Sequence, residues 1–545
     1  MNCNDIIKRF SVQELDRKTA DSTYDLISRY VVPFRGDFFK PNDTEGEVNW
    51  REARYKFDDT APHACEMLAS AMQADLTNPA TQWFGLSFRN KELMKDEEIA
   101  RWLGMCQSEM YKELQESNFD LEAAEFYTDL CSYGMGNITE EAESEIEWKG
   151  LDFKALPLKD TYFEENIKGQ VAVLYRRIKW TAGQIAEKFG DKIPDSIKSK
   201  AESGSNDKHE IIFCVYPRKD KMTNDTSKIL DPLDRPYGFK YVLRAGNEML
   251  GEEGGYYEMP NFVTRWRKVS GSKLGHSPAH VCLSDILSAN QLVEETFEAL
   301  GKVIDPSTIV TKRGLLSDLD LGRGGLTVAR SKEDIWSYES KARFDIGDLK
   351  LSELQNSINK AFYVDQLMLK ESPAMTATEA QIRYRLMQRL LGPTLGRLMN
   401  DFLDPLIKRT FNIMYRAGRF PERPTSIPNG TILDIEYTGP LAQAQRMSQN
   451  QATMNWVVSL TQMAQADPNV LDLPDFDAIA RGLADGVPVE YLKGAKAVKQ
   501  IRDERQQKQA QMEQMDQMGG AGAAAEAMGR GAKALKEGLS EESNE

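Results

Sequence analysis

The feature that most constrains this chain is a helical pattern from Lys370 to Arg416. Apolar residues recur on a helical spacing on both sides of Gly392 and Pro393, where the phase of the pattern shifts, so a helix that continues past this pair must be kinked there. Roughly 40 residues at about 1.5 Å each make a rod of about 60 Å. The apolar face of such a rod is covered either by neighbouring copies of the chain or, if the helix bends, by the rest of one large helical domain.

The ends of this run carry boundary signals. Pro373 disfavours helical geometry just before it, so a helix arriving from upstream is expected to end near Lys370. Thr376 and Glu379 have the spacing of a capping box and predict a new helix start. Gly418 predicts the end of the run. The sequence therefore predicts two helices joined by a short turn.

Four groups of motifs, in order along the chain, resemble those of the head-to-tail connecting (portal) proteins of short-tailed bacteriophages. They are Asp59-Thr-Ala-Pro62 with Leu76-Thr-Asn-Pro-Ala80 and Trp83-Phe84; Leu274-Gly-His-Ser277 with Leu283-Ser-Asp-Ile286; Glu371-Ser-Pro-Ala-Met-Thr-Ala-Thr-Glu379 with Leu391-Gly-Pro-Thr-Leu-Gly-Arg-Leu398 and Tyr415-Arg-Ala-Gly418; and Glu436-Tyr-Thr-Gly-Pro-Leu-Ala-Gln-Ala-Gln445. His276, Asp75 and Asn78 depart from the family pattern, which affects only local contacts.

The resemblance implies an α+β, mainly helical portal fold. Its parts are a wing at 1–277 (helical over 1–150, β-rich over 151–277), stem helices at 278–304 and 351–370, a clip at 305–350, a tunnel loop at 371–376, a long kinked helix at 377–417, a strand returning to the wing within 418–440, crown helices at 441–518 and a flexible tail at 519–545.

Within the wing, the residue pattern makes four further predictions. Strands are expected at 171–175, 211–216, 239–243 and 262–266, with turns at 245–247 and at Gly254-Gly255, and a later strand at 432–437 should return to this β-rich body. Trp83 and Phe84 are expected in the core. The acidic run that begins at Glu140 is expected to be a solvated loop. The aromatic and basic residues near 176–180 and 256–267 favour ordinary sheet packing over base stacking.

Composition excludes several classes of function. The formal charge of −15 argues against a general nucleic-acid binder, so any DNA contact must be local or weak. The six cysteines are far apart and are expected to be reduced and packed. The N-terminus lacks the apolar core of a secretory signal peptide, and no apolar stretch in the sequence is long enough to span a membrane. We therefore expect the protein to fold in the host bacterial cytoplasm and to make no membrane contact.

No recognisable frame for catalysis is found in the sequence. His276 and His280 are the one close pair among four histidines, but Pro278 lies between them and no HExxH pattern surrounds them. The glycines at 322–325 lack the Lys-Ser/Thr of a phosphate loop. We therefore expect no enzyme activity, no metal and no cofactor.

The resemblance implies a homo-dodecameric ring at one capsid vertex of the virion, through which double-stranded viral DNA is packaged and ejected. The implied partners are the terminase motor, the major capsid and scaffolding proteins and a tail adaptor protein. The alternative is another virion ring or a tail adaptor with a purely structural role. Leu386 and Leu390 are expected to pack against neighbouring copies.

Two sets of site residues follow from this hypothesis. The tunnel loop is expected to face DNA, and the clip is expected to bind the adaptor. The DNA-channel residues are Lys370, Glu371, Ser372, Met375, Thr376 and Thr378, and the clip residues are Lys312, Arg313, Arg323, Arg330 and Lys332.

Overall fold

The computed structural model describes residues 1–35, 56–90, 92–142, 148–221, 230–304, 308–311, 328, 330–331, 334–337, 344–367, 392–428, 433–437, 440–464, 473–483 and 498–508. These residues form a mixed helix and sheet structure. It divides into two compact units, one drawn from residues 1–94 and 102–445 and the other from 95–101 and 446–545. No helix among the described residues is long and apolar enough to cross a membrane.

The helices, in chain order, are α1 (Cys3–Tyr30), α2 (Thr60–Leu76), α3 (Glu97–Glu116), α4 (Phe119–Tyr133), α5 (Ala182–Phe189), α6 (Asp195–Glu202), α7 (Pro278–Val281), α8 (Leu283–Ile304), α9 (Phe344–Ala361), α10 (Val364–Leu367), α11 (Asp404–Arg416), α12 (Pro440–Met463) and α13 (Phe476–Leu483). Residues 392–398 and 498–508 are also helical.

The strands are β1 (Phe84–Phe88), β2 (Met135–Ala142), β3 (Leu151–Ala155), β4 (Thr161–Glu165), β5 (Val171–Thr181), β6 (Lys208–Pro217), β7 (Tyr237–Leu243), β8 (Glu248–Tyr256), β9 (Asn261–Arg265), β10 (Thr308–Val310), β11 (Ile335–Ser337) and β12 (Leu433–Tyr437). Strands β4 to β8 form one antiparallel five-stranded meander, and β3, β2 and β9 form a three-stranded sheet.

The five-stranded sheet buries one face against helix α1. Ile6 and Phe10 of α1 are fully buried, and the Phe10 ring meets the Tyr162 ring edge-on at 4.9 Å between centroids. Arg17 lies on the same helix and is almost completely buried, with its guanidinium donating to the carbonyl oxygens of Leu158 and Thr161 at 2.7 and 2.8 Å. Every one of these contacts joins residues far apart in sequence, so the helix and the sheet fold as one body.

Two predictions about the sheets are wrong. Strand β12 does not return to the β-rich body but pairs antiparallel with β1, Tyr437 opposite Phe84. Gly254 and Gly255 do not form a turn; they lie inside β8, where a Cβ on Gly254 would overlap the ring of Phe239 on the neighbouring strand. Here glycine permits close approach to a side chain and does not reverse the chain.

The core predictions are confirmed. Trp83 and Phe84 are both buried, and Phe84 stacks on Tyr111 at 4.4 Å between ring centroids. The six cysteines are free thiols, and all except Cys3 are buried. The aromatic side chains of the five-stranded sheet also pack as expected: Trp180 stacks on Tyr241.

Candidate assembly and channel site

The site is built on a two-helix hairpin, α8 and α9, and the short helix α7 that precedes it starts at a tightly defined cap. The hydroxyl of Ser277 accepts from the amide of His280 at 3.3 Å, and Nδ1 of His280 accepts from the amide of Ser277 at 3.2 Å, with Pro278 in the first turn. This capping box confirms the predicted helix start, but the predicted helix over 278–304 is interrupted at Cys282, which separates α7 from α8. The Ser277 hydroxyl also donates to the carbonyl oxygen of Ser132 at 2.5 Å, which joins the cap to the end of α4.

The glycine of the Leu274-Gly-His-Ser277 motif is required by a close backbone crossing. A Cβ on Gly275 would overlap the carbonyl oxygen of Gly134, and a Cβ on Gly134 would lie 2.7 Å from the amide nitrogen of Ser277. Gly134 has a φ of +79° and ends α4. Because neither position has room for a side chain, the base of the hairpin lies directly on the backbone after α4.

The near ends of α8 and α9 are held by polar contacts, two of them partly buried and one exposed. The side-chain oxygen of Asn290 accepts from the amide of Phe57 at 2.7 Å, and Gln355 donates to the carboxylate of Asp58 at 3.0 Å. Ser357 donates to Asp285 across the two helices at 2.7 Å. The base is thus closed within the subunit.

The far ends of the same two helices are open. Ile304 is 74% exposed and Leu349 is 76% exposed. The other exposed apolar residues there are Phe297, Leu300, Val303 and Ile346. Apolar side chains at helical spacing are therefore exposed on both helices, and a group of exposed apolar side chains is typical of an interaction site.

Charge on the hairpin is predominantly negative. Helices α8 and α9 together contain seven carboxylates and three lysines. Their acidic residues are Asp285, Glu294, Glu295, Glu298, Asp345, Asp348 and Glu353. A surface of this sign repels phosphate groups, so the hairpin can lie near DNA without holding it.

The boundaries of the second hairpin helix differ from the prediction. Helix α9 begins at Phe344 and not at 351, because the helical spacing of apolar residues continues through Leu349 and Ile346 into the range predicted as the clip. It ends at Ala361, where Tyr363 adopts a φ of +61° before the short helix α10. The predicted end near Lys370 lies outside the described residues.

The later helix departs from α geometry at Met399–Leu403, which form one π turn. Pro405 follows at the start of α11, where it has no amide to donate and its ring crowds the preceding turn; the wider turn accommodates this. Gly392 and Pro393 are helical and exposed. Because the residues before them are outside the described part, a kink at this pair stays a prediction.

The apolar positions after Gly392 and Pro393 face the interior of their own subunit. Leu398, Phe402 and Leu406 are fully buried, and Phe402 packs against Phe126 with ring centroids 4.4 Å apart. The helix ends as predicted, because Gly418 has a φ of +66° and the amide of Arg419 bonds back to Met414 at 3.0 Å.

A buried ion cluster holds α11 to the sheet, and its existence corrects a prediction. We call Glu140, Glu258, Arg409, Thr410 and Arg416 the Glu140 cluster. Thr410 donates to Glu140 at 2.7 Å, and Arg409 donates to the Glu140 carbonyl oxygen at 3.1 Å. Arg416 forms two bonds to the Glu258 carboxylate, at 3.0 and 3.2 Å. Glu140 is therefore not part of a solvated loop. Glu141 is exposed on the same strand, and Glu143, Glu145 and Glu147 lie outside the described residues.

Burial dominates the titration of Glu140. It raises the pKa of the Glu140 carboxyl to about 7, although Arg409 and the Thr410 hydrogen bond act in the opposite direction. The side chain has no exposed surface. Removal from water outweighs the two stabilising contacts, so the carboxyl takes up a proton near neutral pH.

The histidine pair is used for packing. The rings of His276 and His280 lie 5.3 Å apart, and burial lowers the pKa of His280 to about 4. Nδ1 of His280 is occupied by the Ser277 cap. Among the residues that the structure describes, no three His, Cys, Asp or Glu side chains converge to hold a metal ion.

Most predicted site residues lie outside the described residues. This holds for the tunnel-loop residues Lys370, Glu371, Ser372, Met375, Thr376 and Thr378, for the clip residues Lys312, Arg313, Arg323 and Lys332, and for Leu386 and Leu390. Arg330 is described and exposed, shortly before β11 in the chain. Sequence reasoning missed the Glu140 cluster, because no local signal joins Glu140 to Arg409.

Comparison with known proteins identifies the family. A model of bacteriophage head to tail connecting proteins matches residues 4–491. A probable portal protein of Bordetella phage BPP-1 is 27% identical over 501 residues, covering 89% of this chain and 87% of the relative. The portal protein of Salmonella phage epsilon15 is 27% identical over 487 residues, covering 87% of this chain and 85% of the relative.

Among solved structures, chains from the virion of a native gene transfer agent particle and from the neck of an empty gene transfer agent particle are similar at 10% identity. Their TM-scores are 0.34 and 0.37, each covering 74% of this chain and 88% of the other, and scores this low do not define a shared fold. The family model, in contrast, matches nearly the whole sequence. The chain belongs to the bacteriophage head to tail connecting protein family.

Proposed function

We propose that this protein is the portal of a phage capsid: a ring at one vertex through which double-stranded DNA enters and leaves, and onto which the tail is assembled. Membership of the head to tail connecting family supports this function, as do the portal proteins among its relatives. The structural observation that carries it is the open apolar surface at the far ends of α8 and α9. A single subunit leaves this surface exposed to water.

Lateral packing of copies covers such a surface. In a ring, each subunit contacts two neighbours through two different patches, so a hairpin standing in the wall is covered on both sides. The closed base of the hairpin, held through Asn290 and the Ser277 cap, fixes its direction in every copy. A homo-dodecamer is the subunit number that the family resemblance implies.

The acidic hairpin suits a conduit. DNA that must move in both directions is slowed by every firm phosphate contact, and the carboxylates of α8 and α9 keep such contacts few. The tunnel loop, with Lys370 and Glu371 side by side, would supply only weak contacts to the backbone. A separate terminase motor would supply the work of packaging, while capsid and scaffolding proteins would surround the ring.

The segment between α8 and α9 is proposed to bind the tail adaptor. Its described strands β10 and β11 pair antiparallel and place Ile309 opposite Trp336, and both side chains are exposed. An exposed tryptophan on a two-stranded hairpin is a suitable anchor for a protein partner. Deleting residues 312–343, which spares α9, should leave rings intact and abolish adaptor attachment.

One experiment tests the assembly function directly. Purified protein should form symmetric rings with a central hole in electron microscopy, and Ile304→Asp with Leu349→Asp should shift most of it to monomer in sizing. Leu121→Asp is the matched control, because Leu121 is 74% exposed on α4. Rings from the double variant at wild-type yield would contradict the proposed interface, and absence of rings from wild-type protein would contradict the portal function.

A further inference from the structure

Helix α12 has an exposure pattern that the function described above does not explain. It spans 24 residues with a single charged residue, Arg446, whereas 28% of the whole chain is charged. Over residues 452–464, where side chains are described, the sequence has no charge at all. Four large apolar side chains there are exposed: Met454, Trp456, Val458 and Met463.

The side chains of α12 sort into four stripes around the helix. Thr453, Val457, Leu460 and Ala464 form the inner stripe, which is partly or fully covered within the subunit. The opposite stripe is polar and exposed, and consists of Asn455, Ser459 and Gln462. The exposed apolar residues lie between these two stripes, in two separate flanks, and the exposed Thr461 borders one of them.

The two flanks point in opposite directions. With about 100° of rotation per residue, Met454 and Val458 form one flank, and Trp456 and Met463 form the other, roughly 170° away. A helix on the outside of a single folded unit needs only one apolar stripe. Helix α12 has its covered inner stripe and, in addition, two exposed apolar flanks that are separated by the polar outer stripe.

We infer that α12 is a subunit interface in the ring, in which the Met454–Val458 flank of one copy packs against the Trp456–Met463 flank of the next. This inference rests on the proposed ring function and names a second contact surface for it. A head-to-tail contact between identical chains uses two different patches on opposite sides of each chain, which is the arrangement of these flanks. Trp456 is the expected anchor, since tryptophan dominates the energy of many interfaces.

Other partners fit this helix less well. DNA requires lysines or arginines to neutralise phosphates, and residues 452–464 have none. A single flat partner, such as a shell protein, would cover one flank and leave the other exposed. A second copy on each side covers both flanks and leaves the polar stripe of Asn455, Ser459 and Gln462 in water.

A charge-pairing experiment tests the inference. Val458→Lys and Trp456→Glu should each raise, by roughly tenfold or more, the protein concentration at which half of the subunits are in rings. The double variant Val458→Lys with Trp456→Glu should recover much of this loss, because every interface then pairs an introduced lysine with an introduced glutamate. The double variant Val458→Lys with Trp456→Lys should need a higher protein concentration than either single variant for half of its subunits to be in rings.

The recovery cannot arise inside one subunit. Residues two apart on a helix do not face each other, so the introduced lysine and the introduced glutamate could meet only across an interface. Circular dichroism checks that each variant folds, and Ser459→Glu on the polar stripe is the control that should assemble as wild type.

Two results would overturn the inference. One is an opposite-charge variant that assembles no better than the like-charge variant, and the other is a set of four variants that all assemble as wild type. In both cases, rings formed by the wild-type protein would still support the proposed portal function. Rings that are lost only with Ile304→Asp and Leu349→Asp would assign assembly to the α8–α9 hairpin alone.

Discussion

Helix α11 and the far half of the α8–α9 hairpin have similar apolar spacing, but only α11 is covered by its own subunit. Leu406 and Ile413 of α11 are at most 1% exposed, whereas Ile304 and Leu349 of the hairpin are about three-quarters exposed. Periodicity identifies the apolar face of a helix and does not say which molecule covers it. The covered region should therefore respond to substitution through stability, and the open region through assembly.

The largest loss of stability is expected from breaking the Glu140 cluster. Replacing Arg409 by Leu leaves Glu140 buried without its nearest cation and removes donors to two carbonyl oxygens. We expect a loss of about 3–5 kcal/mol in the free energy of unfolding, measured by urea denaturation at low protein concentration.

Arg9 provides the control for this variant. It pairs with Glu164 at 3.4 Å with half of its side chain in water, so Arg9→Leu should cost at most about 1 kcal/mol. Equal effects of the two substitutions would mean that the cluster does not hold α11 to the sheet.

The next largest effect is expected at the backbone crossing beneath the hairpin. Gly275→Ala places a Cβ against the carbonyl oxygen of Gly134, and the backbones must separate. A loss of about 1–3 kcal/mol is expected. Gly104→Ala in α3 is the control, because nothing lies within 4 Å of a Cβ there, and it should stabilise by roughly 0.5–1 kcal/mol. Unchanged thermal unfolding of Gly275→Ala would contradict the crossing.

Local signals in the sequence were sufficient for several features of the fold. Pro278 after Ser277 predicted the helix start, Gly418 predicted the helix end, and the apolar runs predicted three of the five strands of the meander, β5, β6 and β7. Each depends on residues a few positions apart. The family was also identified from short motifs, one of which contains Gly275, whose role the structure explains.

Features that depend on distant partners could not be read from the sequence. The partner of strand β12 is β1, which lies far upstream, and nothing within either strand specifies the other. Glu140 was assigned to a loop because its partners, Arg409 and Thr410, lie about 270 positions away. The candidate DNA-channel residues and all of the clip candidates except Arg330 lie outside the described residues, so they stay predictions.

A change of pH is expected to alter the stability of the covered region through Glu140, by less than the Arg409→Leu substitution does. Burial raises the pKa of this carboxyl from 4.5 to about 7, so the folded state binds more protons than the unfolded state between these values. Stability contributed by the protonated form is therefore lost as pH rises through 7. Relative to Glu140→Gln, wild-type protein should lose on the order of 2 kcal/mol between pH 5 and pH 8 in urea unfolding.

Glu258 is the acidic neighbour within this cluster, and Glu258→Gln provides the comparison. Arg416 binds its carboxylate through two bonds, so this variant should lose stability without removing the fall in stability between pH 5 and pH 8. A pH response that persists unchanged in Glu140→Gln would assign the titration to another group.

The smallest effect on stability is expected from substitutions at the far end of the α8–α9 hairpin, where the effect on ring assembly should be large. Leu349 is 76% exposed, so Leu349→Ser should change the unfolding free energy of the dissociated protein by less than about 0.5 kcal/mol. Leu398→Ala, which removes a fully buried side chain of the later helix, should cost about 2–5 kcal/mol. Urea unfolding below the concentration at which rings form measures the change in stability of each variant. Ring yield by sizing at higher concentration measures the change in assembly. If Leu349→Ser destabilised the dissociated subunit as much as Leu398→Ala, the far end of the hairpin would be part of the subunit core, and the distinction between a covered and an open helical surface would fail.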